Sequence, residues 1–328
     1  MAEPEEMLSG VGNEPFAFRD GLRAGLTRQQ LNGSEFSKPH RGVRMRGAAQ
    51  SPLEIARAFV PRIRDRCVLG GLTAARIWGL PVPRRLDGDA TVYLLIPAGR
   101  NRPAGLGVTS RSVRAQLWDA RELHGVPVAS PALTWATCAR HLDVNELVVL
   151  GDALVATSTN YEGIVRPEQP PEGARTAPPL ATLDELEEIA RTWGNGAGGA
   201  SLRAAVTRIR TGVESPLETW TRLVIVAGGL PEPEVGVEVW NGSEFVGRVD
   251  LAYRAQKIAL EYEGDHHRTD KRQWRKDIGR INRLQEIDWF AIRATSAQLW
   301  PTPRRFVEQV RAALRRAEEA GEASSRDT

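Results

Sequence analysis

The sequence predicts a protein of the mixed α/β class, with its clearest architecture in the C-terminal third. Three observations lead to this prediction. The composition, 41% hydrophobic and 26% charged, is that of an ordinary globular protein with enough apolar residues for packed cores. Strand patterns recur between residues 235 and 293. Helix signals before, between and after those strands give the order α-β-β-β-α-β-α. A length of 328 residues suggests two or three domains.

Several classes of protein are excluded by composition. The two cysteines, Cys67 and Cys138, are too few and too far apart for a four-cysteine zinc site or a disulfide framework. No apolar run approaches the roughly 18–20 residues of a membrane span. The acidic N-terminus has no apolar segment behind it and does not resemble a secretory signal. We therefore expect a cytoplasmic protein with no membrane partner.

The first half of the chain predicts a mixture of helices and strands. Thr27 is suited to be the N-cap of a short helix, and an extended stretch follows at 42–45. Residues 72–78 have a helical pattern that stops at glycine and proline. Residues 91–96 are typical of a buried strand, and residues 143–156 place apolar side chains at helical spacing.

The C-terminal elements have stronger local signals. Ser215 and Glu218 form a capping-box pattern with proline at the first helical position. The dipeptide Asn241-Gly242 is a strong hairpin signal between two alternating strands. The predicted elements are helices at 216–227, 269–287 and 304–316 and strands at 235–240, 245–253, 257–263 and 289–293.

Carboxylates interrupt two of these apolar strands. A turn near Ala255 places Asp250 level with Leu260 and Glu261, and Glu263 shares the face of Glu261 because strand side chains alternate. Carboxylates this close repel one another unless a cation lies between them. Oxygen ligands favour Mg²⁺ or Mn²⁺ over zinc. The pattern therefore predicts a site for one of these two cations.

These motifs resemble a known group of enzymes. The segments Gly247-Arg-Val-Asp-Leu, Leu260-Glu-Tyr-Glu-Gly-Asp-His-His and Trp289-Phe-Ala-Ile-Arg are similar to the Vsr-like (very-short-patch-repair-type) endonuclease domains of the PD-(D/E)XK nuclease superfamily. The resemblance covers about residues 213–316. It implies a restriction-endonuclease-like α-β-β-β-α-β core with a mixed sheet. It also implies Mg²⁺-dependent hydrolysis of DNA phosphodiesters.

The resemblance also assigns roles to residues. Asp250 and Glu261 match the metal-binding strand positions, and Glu218 matches a helical glutamate that completes the site. Glu263 stands where the superfamily has a lysine, so the resemblance gives the proton-transfer role to His266 or His267. Arg280 matches an arginine on the following helix.

Each of these residues also has a purely structural interpretation. Glu218 serves as a capping residue, Asp250 and Glu261 pair with Arg248 or Arg293, Glu263 and the histidines are solvated, and Arg280 pairs with Asp277 or Glu286.

Basic residues suggest two DNA-binding surfaces. The helix at 269–287 places an apolar stripe opposite Arg272, Lys276 and Arg283, which with Arg280 are predicted phosphate contacts. The alternative is an ordinary solvated face. Near the N-terminus, the segments Gly25-Leu-Thr-Arg-Gln-Gln-Leu and His40-Arg-Gly-Val-Arg-Met resemble the winged-helix region of AbiEi-type antitoxins. That resemblance implies phosphate contacts by Arg28, Arg41, Arg44 and Arg46. The alternative is a small scaffold with arginine-rich edges.

Charge blocks complete the domain prediction. The net charge is only +3, but residues 19–119 and 201–316 are basic and residues 120–200 are acidic. Basic blocks are typical of phosphate binding, so DNA is the predicted partner; the oligomeric state stays open, with a homodimer as one option. The predicted segments are an acidic N-terminal segment (1–18), a winged-helix-like DNA-binding region (19–60), a mixed α/β domain (61–165), a linker with a glycine-rich loop (166–200), the nuclease domain (201–316) and a disordered tail (317–328).

The predicted function is that of a Mg²⁺- or Mn²⁺-dependent DNA endonuclease. The alternative is a DNA-binding regulator or antitoxin-like protein that retains the nuclease fold without activity. That alternative is motivated by Glu263 at the lysine position.

Overall fold

The structure is a computed structural model that describes residues 14–63, 66–100, 105, 107–262, 271–299 and 303–326. The described residues form two compact units. One unit comprises those within 1–147, 163–169 and 181–206, and the other those within 148–162, 170–180 and 207–328. Both units contain helices and sheets, so the mixed α/β class is confirmed.

The elements up to residue 206 alternate between short strands and short helices. The strands are β1 (Phe16–Ala17), β2 (Phe36–Ser37), β3 (Val43–Arg46), β4 (Val68–Leu69), β5 (Val92–Pro97), β6 (Val108–Val113), β7 (Ala120–Leu123) and β8 (Val126–Ala129). The helices are α1 (Phe18–Arg23), α2 (Arg28–Asn32), α3 (Pro52–Arg57), α4 (Gly71–Ile77), α5 (Pro131–Cys138), α6 (Val144–Val155), α7 (Leu183–Trp193) and α8 (Gly199–Val206).

Two sheets organise the first unit. The N-terminal sheet has the order β1-β3-β2, and Leu26, Leu31 and Phe36 form a small core beside it. The helix predicted after Thr27 is α2: the Thr27 hydroxyl accepts a hydrogen bond from the Gln30 amide while the Gln30 side chain accepts one from the Thr27 amide. The second sheet is mixed, in the order β6-β5-β4-β8-β7.

The predicted linker at 166–200 contains a helix. Thr182 caps α7 through a capping box with Glu185, and the side chains of Leu186, Ile189 and Trp193 are buried. Residues 181–206 therefore belong to the first unit. Acidic residues dominate the composition of α7, but its apolar side chains lie on one face, and that face packs the helix against the unit.

The second unit contains the seven elements predicted from the C-terminal sequence and a further short helix. They are α9 (Pro216–Ala227), β9 (Glu234–Asn241), β10 (Glu244–Tyr253), β11 (Ile258–Tyr262), α10 (Lys271–Glu286), β12 (Phe290–Ala294), α11 (Ser296–Leu299) and α12 (Arg304–Arg326). The sheet order is β12-β11-β10-β9, with β12 parallel to β11 and the other pairs antiparallel. The predicted order is therefore observed, with the short α11 added.

The last helix is longer than predicted. It continues to Arg326 rather than ending near residue 316, so much of the tail expected to be disordered is helical. The polar composition after residue 317 lacks the apolar stripe that marks a packed helix, yet glutamate and alanine are good helix formers.

Two apolar layers cover the sheet of the second unit. Leu251 and Leu260 lie in a cluster with Ile225 of α9 and Phe306 of α12. Ala252 and Ala259 lie in another cluster, whose other members include Leu284 and Trp289. None of the helices in the described ranges combines the length and apolar character needed to cross a membrane.

Candidate active site

Two carboxylates face each other across neighbouring strands. The antiparallel register pairs Leu251 with Leu260, and the next step along it brings Asp250 opposite Glu261. The amide of Tyr262 donates a hydrogen bond of 2.8 Å to Asp250 Oδ2. Because strand side chains alternate, both acids lie on the sheet face of Ala252 and Ala259, which packs against α10. The predicted juxtaposition of Asp250 and Glu261 is confirmed.

The third carboxylate, Glu218, comes from the first turn of α9. Its amide donates a hydrogen bond of 3.2 Å to the Ser215 hydroxyl, as the capping pattern predicts. Its carboxylate, however, accepts a hydrogen bond of 2.9 Å from the amide of Glu214 rather than from that of Ser215. Glu218 is buried, with 7% of its surface exposed. The residue is a capping group and also contributes charge to the site.

The three carboxyl groups are electrostatically coupled. Burial raises the pKa of Asp250 well above its ordinary value, and the negative charges of Glu218 and Glu261 raise it further. Burial also raises the pKa of Glu218 to about 7, against the hydrogen bonds from Glu214 and Ser215. A carboxyl group with a pKa of about 7, such as that of Glu218, is partly protonated at neutral pH unless a bound cation compensates its negative charge.

Glu261 has a cation partner within the protein. Both terminal nitrogens of Arg280, on α10, donate hydrogen bonds to the two oxygens of Glu261. Arg280 also donates a hydrogen bond of 3.0 Å to the carbonyl of Arg248. Arg280 is predicted to contact a phosphate, but in this conformation it is bound to a carboxylate instead. The partner of Glu261 is therefore Arg280 rather than the predicted alternatives, Arg248 or Arg293. The side chain of Asp277, one of the two predicted partners of Arg280, lies outside the described residues.

The chemistry of the donor set fits a hard divalent cation, since Asp250 and Glu218 offer buried carboxylate oxygens with no full counter-charge. The carboxylates, as they are arranged in this structure, do not form a coordination shell for a cation. Within the described residues, no three His, Cys, Asp or Glu side chains are positioned to hold a metal ion. Arg280 donates hydrogen bonds to both oxygens that Glu261 would supply to a cation.

Several predicted residues lie beyond what the structure describes. Glu263, His266 and His267 are outside the described residues. Arg272 and Lys276 belong to α10, but their side chains are not described. Arg283 is exposed and donates a hydrogen bond of 3.1 Å to the Val246 carbonyl.

The four N-terminal arginines differ in exposure. Arg28 and Arg41 are exposed, and Arg46 lies 3.3 Å from the Glu35 carboxylate.

Arg44 is buried, which corrects its predicted role as a phosphate contact. Its guanidinium donates hydrogen bonds to the Leu31 carbonyl, to the Val43 carbonyl at 2.9 Å and to Asn32 Oδ1 at 2.7 Å. It also lies over the Phe18 ring, 4.6 Å from the centroid. All of these contacts hold α1 and α2 against β3, so Arg44 has a structural role.

Sequence reasoning missed a buried network beside the site. Asp152, on α6, is fully buried and accepts hydrogen bonds from Arg222 at 2.7 Å, Thr219 at 2.9 Å and the Arg210 amide at 2.8 Å. Arg222 is also buried and binds Glu232 at 2.7 Å. Burial raises the pKa of Asp152 to about 6 despite Arg222. The sequence signal that could have indicated the network is an acid, Asp152, inside the apolar run at 147–155.

Tyr161 lies against the same network. It is buried, and the carboxyl groups of Asp152 and Glu218 add to the burial that raises the pKa of its hydroxyl well above the ordinary value. In the described part of the chain, that hydroxyl has no hydrogen-bond partner. Tyr161 thus lies within electrostatic range of both Asp152 and Glu218.

Comparisons with known proteins give two distant relatives. The uncharacterized proteins MT2308 of Mycobacterium tuberculosis (strain CDC 1551) and Rv2248 of strain H37Rv are each 24% identical over 250 residues. The matches cover 76% of this chain and 82% of each relative. No family model and no solved structure matches the chain. The relatives' names state no activity, so the functional argument rests on the site itself.

Proposed function

We propose that the protein is a Mg²⁺- or Mn²⁺-dependent DNA endonuclease with a restriction-endonuclease-like C-terminal core. The observation that supports this most directly is the meeting of Glu218, Asp250 and Glu261. Glu218 comes from α9, Asp250 from β10 and Glu261 from β11. Burial raises the pKa of Asp250 and of Glu218, and the charges of Glu218 and Glu261 add to the shift at Asp250. A structural network would pair such acids with arginines, whereas here only Glu261 has a bidentate arginine partner within the described residues.

The proposed division of labour follows from these positions. Asp250 and Glu261 would hold the cation, and Glu218 would assist from the N-terminal turn of α9. The bound cation would polarise the scissile phosphate and lower the pKa of a water molecule. His266 or His267, which follow Glu263 in the sequence after Gly264 and Asp265, would accept or deliver the proton. Burial of the carboxyl groups strengthens their interactions with charge.

DNA binding would use cationic residues of both units. Arg283, with Arg272 and Lys276 on the same helix, would contact the phosphate backbone near the site, and Arg28 and Arg41 would do so in the N-terminal region. The N-terminal order of two short helices followed by the β2–β3 hairpin is compatible with a winged helix.

The Asp250→Ala variant is expected to lose metal-dependent cleavage by at least about 100-fold, because loss of a ligand costs more than the 10–100-fold typical of its supporting residues. Nicking of supercoiled plasmid with Mg²⁺ or Mn²⁺ measures the loss of cleavage. Titration of Mn²⁺ by calorimetry measures the accompanying loss of cation binding. Circular dichroism verifies that the variant is folded.

The matched control is Glu234→Ala, which removes an exposed carboxylate of β9 that pairs with Arg254 at 3.3 Å. It should cleave and bind Mn²⁺ like the wild type. Equal cleavage by wild type and Asp250→Ala would show that the assigned site is wrong.

A second function is favoured by the Arg280–Glu261 pair and by Glu263 at the lysine position. A protein with its site permanently neutralised by arginine would bind DNA without cutting it, as a regulator or antitoxin-like protein does. Salt-dependent DNA affinity with no cleavage under any divalent cation would support this alternative. Undetectable DNA binding at low salt would exclude it.

DNA affinity should depend on the exposed N-terminal arginines. The double variant Arg28→Ala/Arg41→Ala is expected to bind duplex DNA more weakly, with the salt slope reduced by about 2, since each phosphate contact contributes about 0.9. Fluorescence anisotropy across a range of salt concentrations measures the slope. The control, Arg19→Ala/Arg23→Ala, removes two exposed arginines that lie 3.7 and 3.2 Å from Asp20. A slope lowered equally in both variants would argue against specific contacts by Arg28 and Arg41.

A further inference from the structure

The ion pair between Arg280 and Glu261 is shielded from solvent. The exposed fractions of the two side chains are 21% and 10%, and the guanidinium binds both carboxylate oxygens. Bidentate, charge-assisted hydrogen bonds of this kind are among the strongest in proteins. The additional hydrogen bond from Arg280 to the Arg248 carbonyl fixes the guanidinium against β10.

Gly247 provides the space through which Arg280 reaches Glu261. A Cβ atom at position 247 would lie 2.9 Å from Cδ and 3.0 Å from Cγ of Arg280, closer than such atoms approach. The register of β10 against β9 shifts between Phe245 and Gly247 at the same point. A side chain here would displace the aliphatic part of Arg280, so the strand is shaped around the arginine.

The guanidinium contacts one of the three carboxyl groups directly. It donates hydrogen bonds to both oxygens of Glu261. Asp250 and Glu218 accept theirs from backbone amides, those of Tyr262 and Glu214 respectively. Arg280 therefore occupies the oxygens of the acid that β11 contributes.

We propose that Arg280 is a displaceable counter-ion of the carboxylate site, which must leave Glu261 before that carboxylate can coordinate a divalent cation. The inference rests on the proposed function and deepens it. Guanidinium forks suit phosphate as well as carboxylate, so the phosphate of bound DNA offers Arg280 a replacement partner. Arg280 thus occupies the oxygens of Glu261 in the free protein. It becomes a phosphate contact when DNA and the cation bind together.

The test is calorimetric titration of Mn²⁺, without DNA, into the full-length wild type and Arg280→Gln. The variant is expected to bind Mn²⁺ about tenfold more tightly, the factor that corresponds to one lost charge-assisted hydrogen bond. Its plasmid nicking should nevertheless be slower, because the phosphate contact is lost. The control, Arg254→Gln, removes one positive charge from an exposed arginine of the same unit and should leave Mn²⁺ affinity unchanged.

The outcomes separate this inference from the proposed function. Tighter Mn²⁺ binding by Arg280→Gln, with or without nicking by the wild type, supports the counter-ion. Unchanged or weaker binding by a folded Arg280→Gln, while the wild type nicks DNA, overturns the counter-ion and leaves the nuclease intact. Mn²⁺ binding by neither protein, with no nicking, overturns both. To test whether Arg280→Gln gains Mn²⁺ affinity at another site, the double variant Asp250→Ala/Arg280→Gln is titrated as well. Loss of Mn²⁺ binding in the double variant places the gain in affinity at this site.

Discussion

Arg222→Ala is expected to destabilise the protein by about 3–5 kcal/mol, the typical cost of removing one partner of a buried ion pair. Asp152 would remain fully buried with only the hydrogen bonds from Thr219 and the Arg210 amide. Glu232 would also lose a hydrogen bond of 2.7 Å. Urea unfolding at pH 7, followed by circular dichroism, measures the difference in the free energy of unfolding.

The control for this prediction is Arg210→Ala, which removes a half-exposed arginine from the same acceptor, Glu232, at 2.8 Å. The backbone amide that binds Asp152 remains, so the expected loss is below about 1 kcal/mol. Adding Asp152→Asn to Arg222→Ala should recover part of the lost stability, because the uncompensated buried charge is removed. Similar losses for Arg222→Ala and Arg210→Ala would contradict the burial argument.

The stability of metal-free protein should fall as the pH rises through neutrality, and Glu218→Gln should reduce that fall. The pKa of Glu218 is raised from 4.5 to about 7 in the folded protein. The folded state therefore binds this proton more tightly than the unfolded state. No penalty exists below pH 4.5, the penalty grows between the two values, and it is complete above about 7. Its size is on the order of 3 kcal/mol, at 1.36 kcal/mol per pKa unit.

The measurement is urea unfolding of wild type and Glu218→Gln in EDTA at pH 4.5 and pH 8. The amide keeps an oxygen that can accept the hydrogen bond from Glu214, but it cannot ionise. The variant should be about equal to the wild type at pH 4.5 and more stable at pH 8. Glu244→Gln changes an exposed carboxylate of β10 and should show no pH-dependent difference. A Glu218→Gln difference that is independent of pH would show that the pKa is not raised.

These two predictions concern two buried side chains of α9 that lie one helical turn apart on the same face. Arg222 is paired with the buried Asp152, whereas the pKa of Glu218 is raised because burial outweighs its hydrogen bonds and the charge of Arg248. Stability given up at Glu218 and Asp250 is consistent with a site arranged for a ligand rather than for the fold. Mn²⁺ should therefore raise the unfolding temperature of the wild type more than that of Asp250→Ala.

Local signals in the sequence determined most of the C-terminal unit. Ser215 with Pro216, the Asn241-Gly242 turn and the alternating strands each specify their element through contacts only a few residues apart. The register of a tight hairpin follows closely from its turn, so the sequence placed Asp250 level with Leu260 and Glu261, and the structure selects Glu261. The mixed α/β class followed from the same patterns.

The tertiary structure alone decided which charges meet. Arg280 reaches Glu261 across a strand at Gly247, and Arg222 reaches Asp152 over a separation of 70 residues, so no sequence window contains either pair. Arg44 looked like a phosphate contact, since a charged side chain in a short strand carries no sign of its burial. Elements follow from local backbone preferences, whereas burial and charge pairing follow from packing between distant segments.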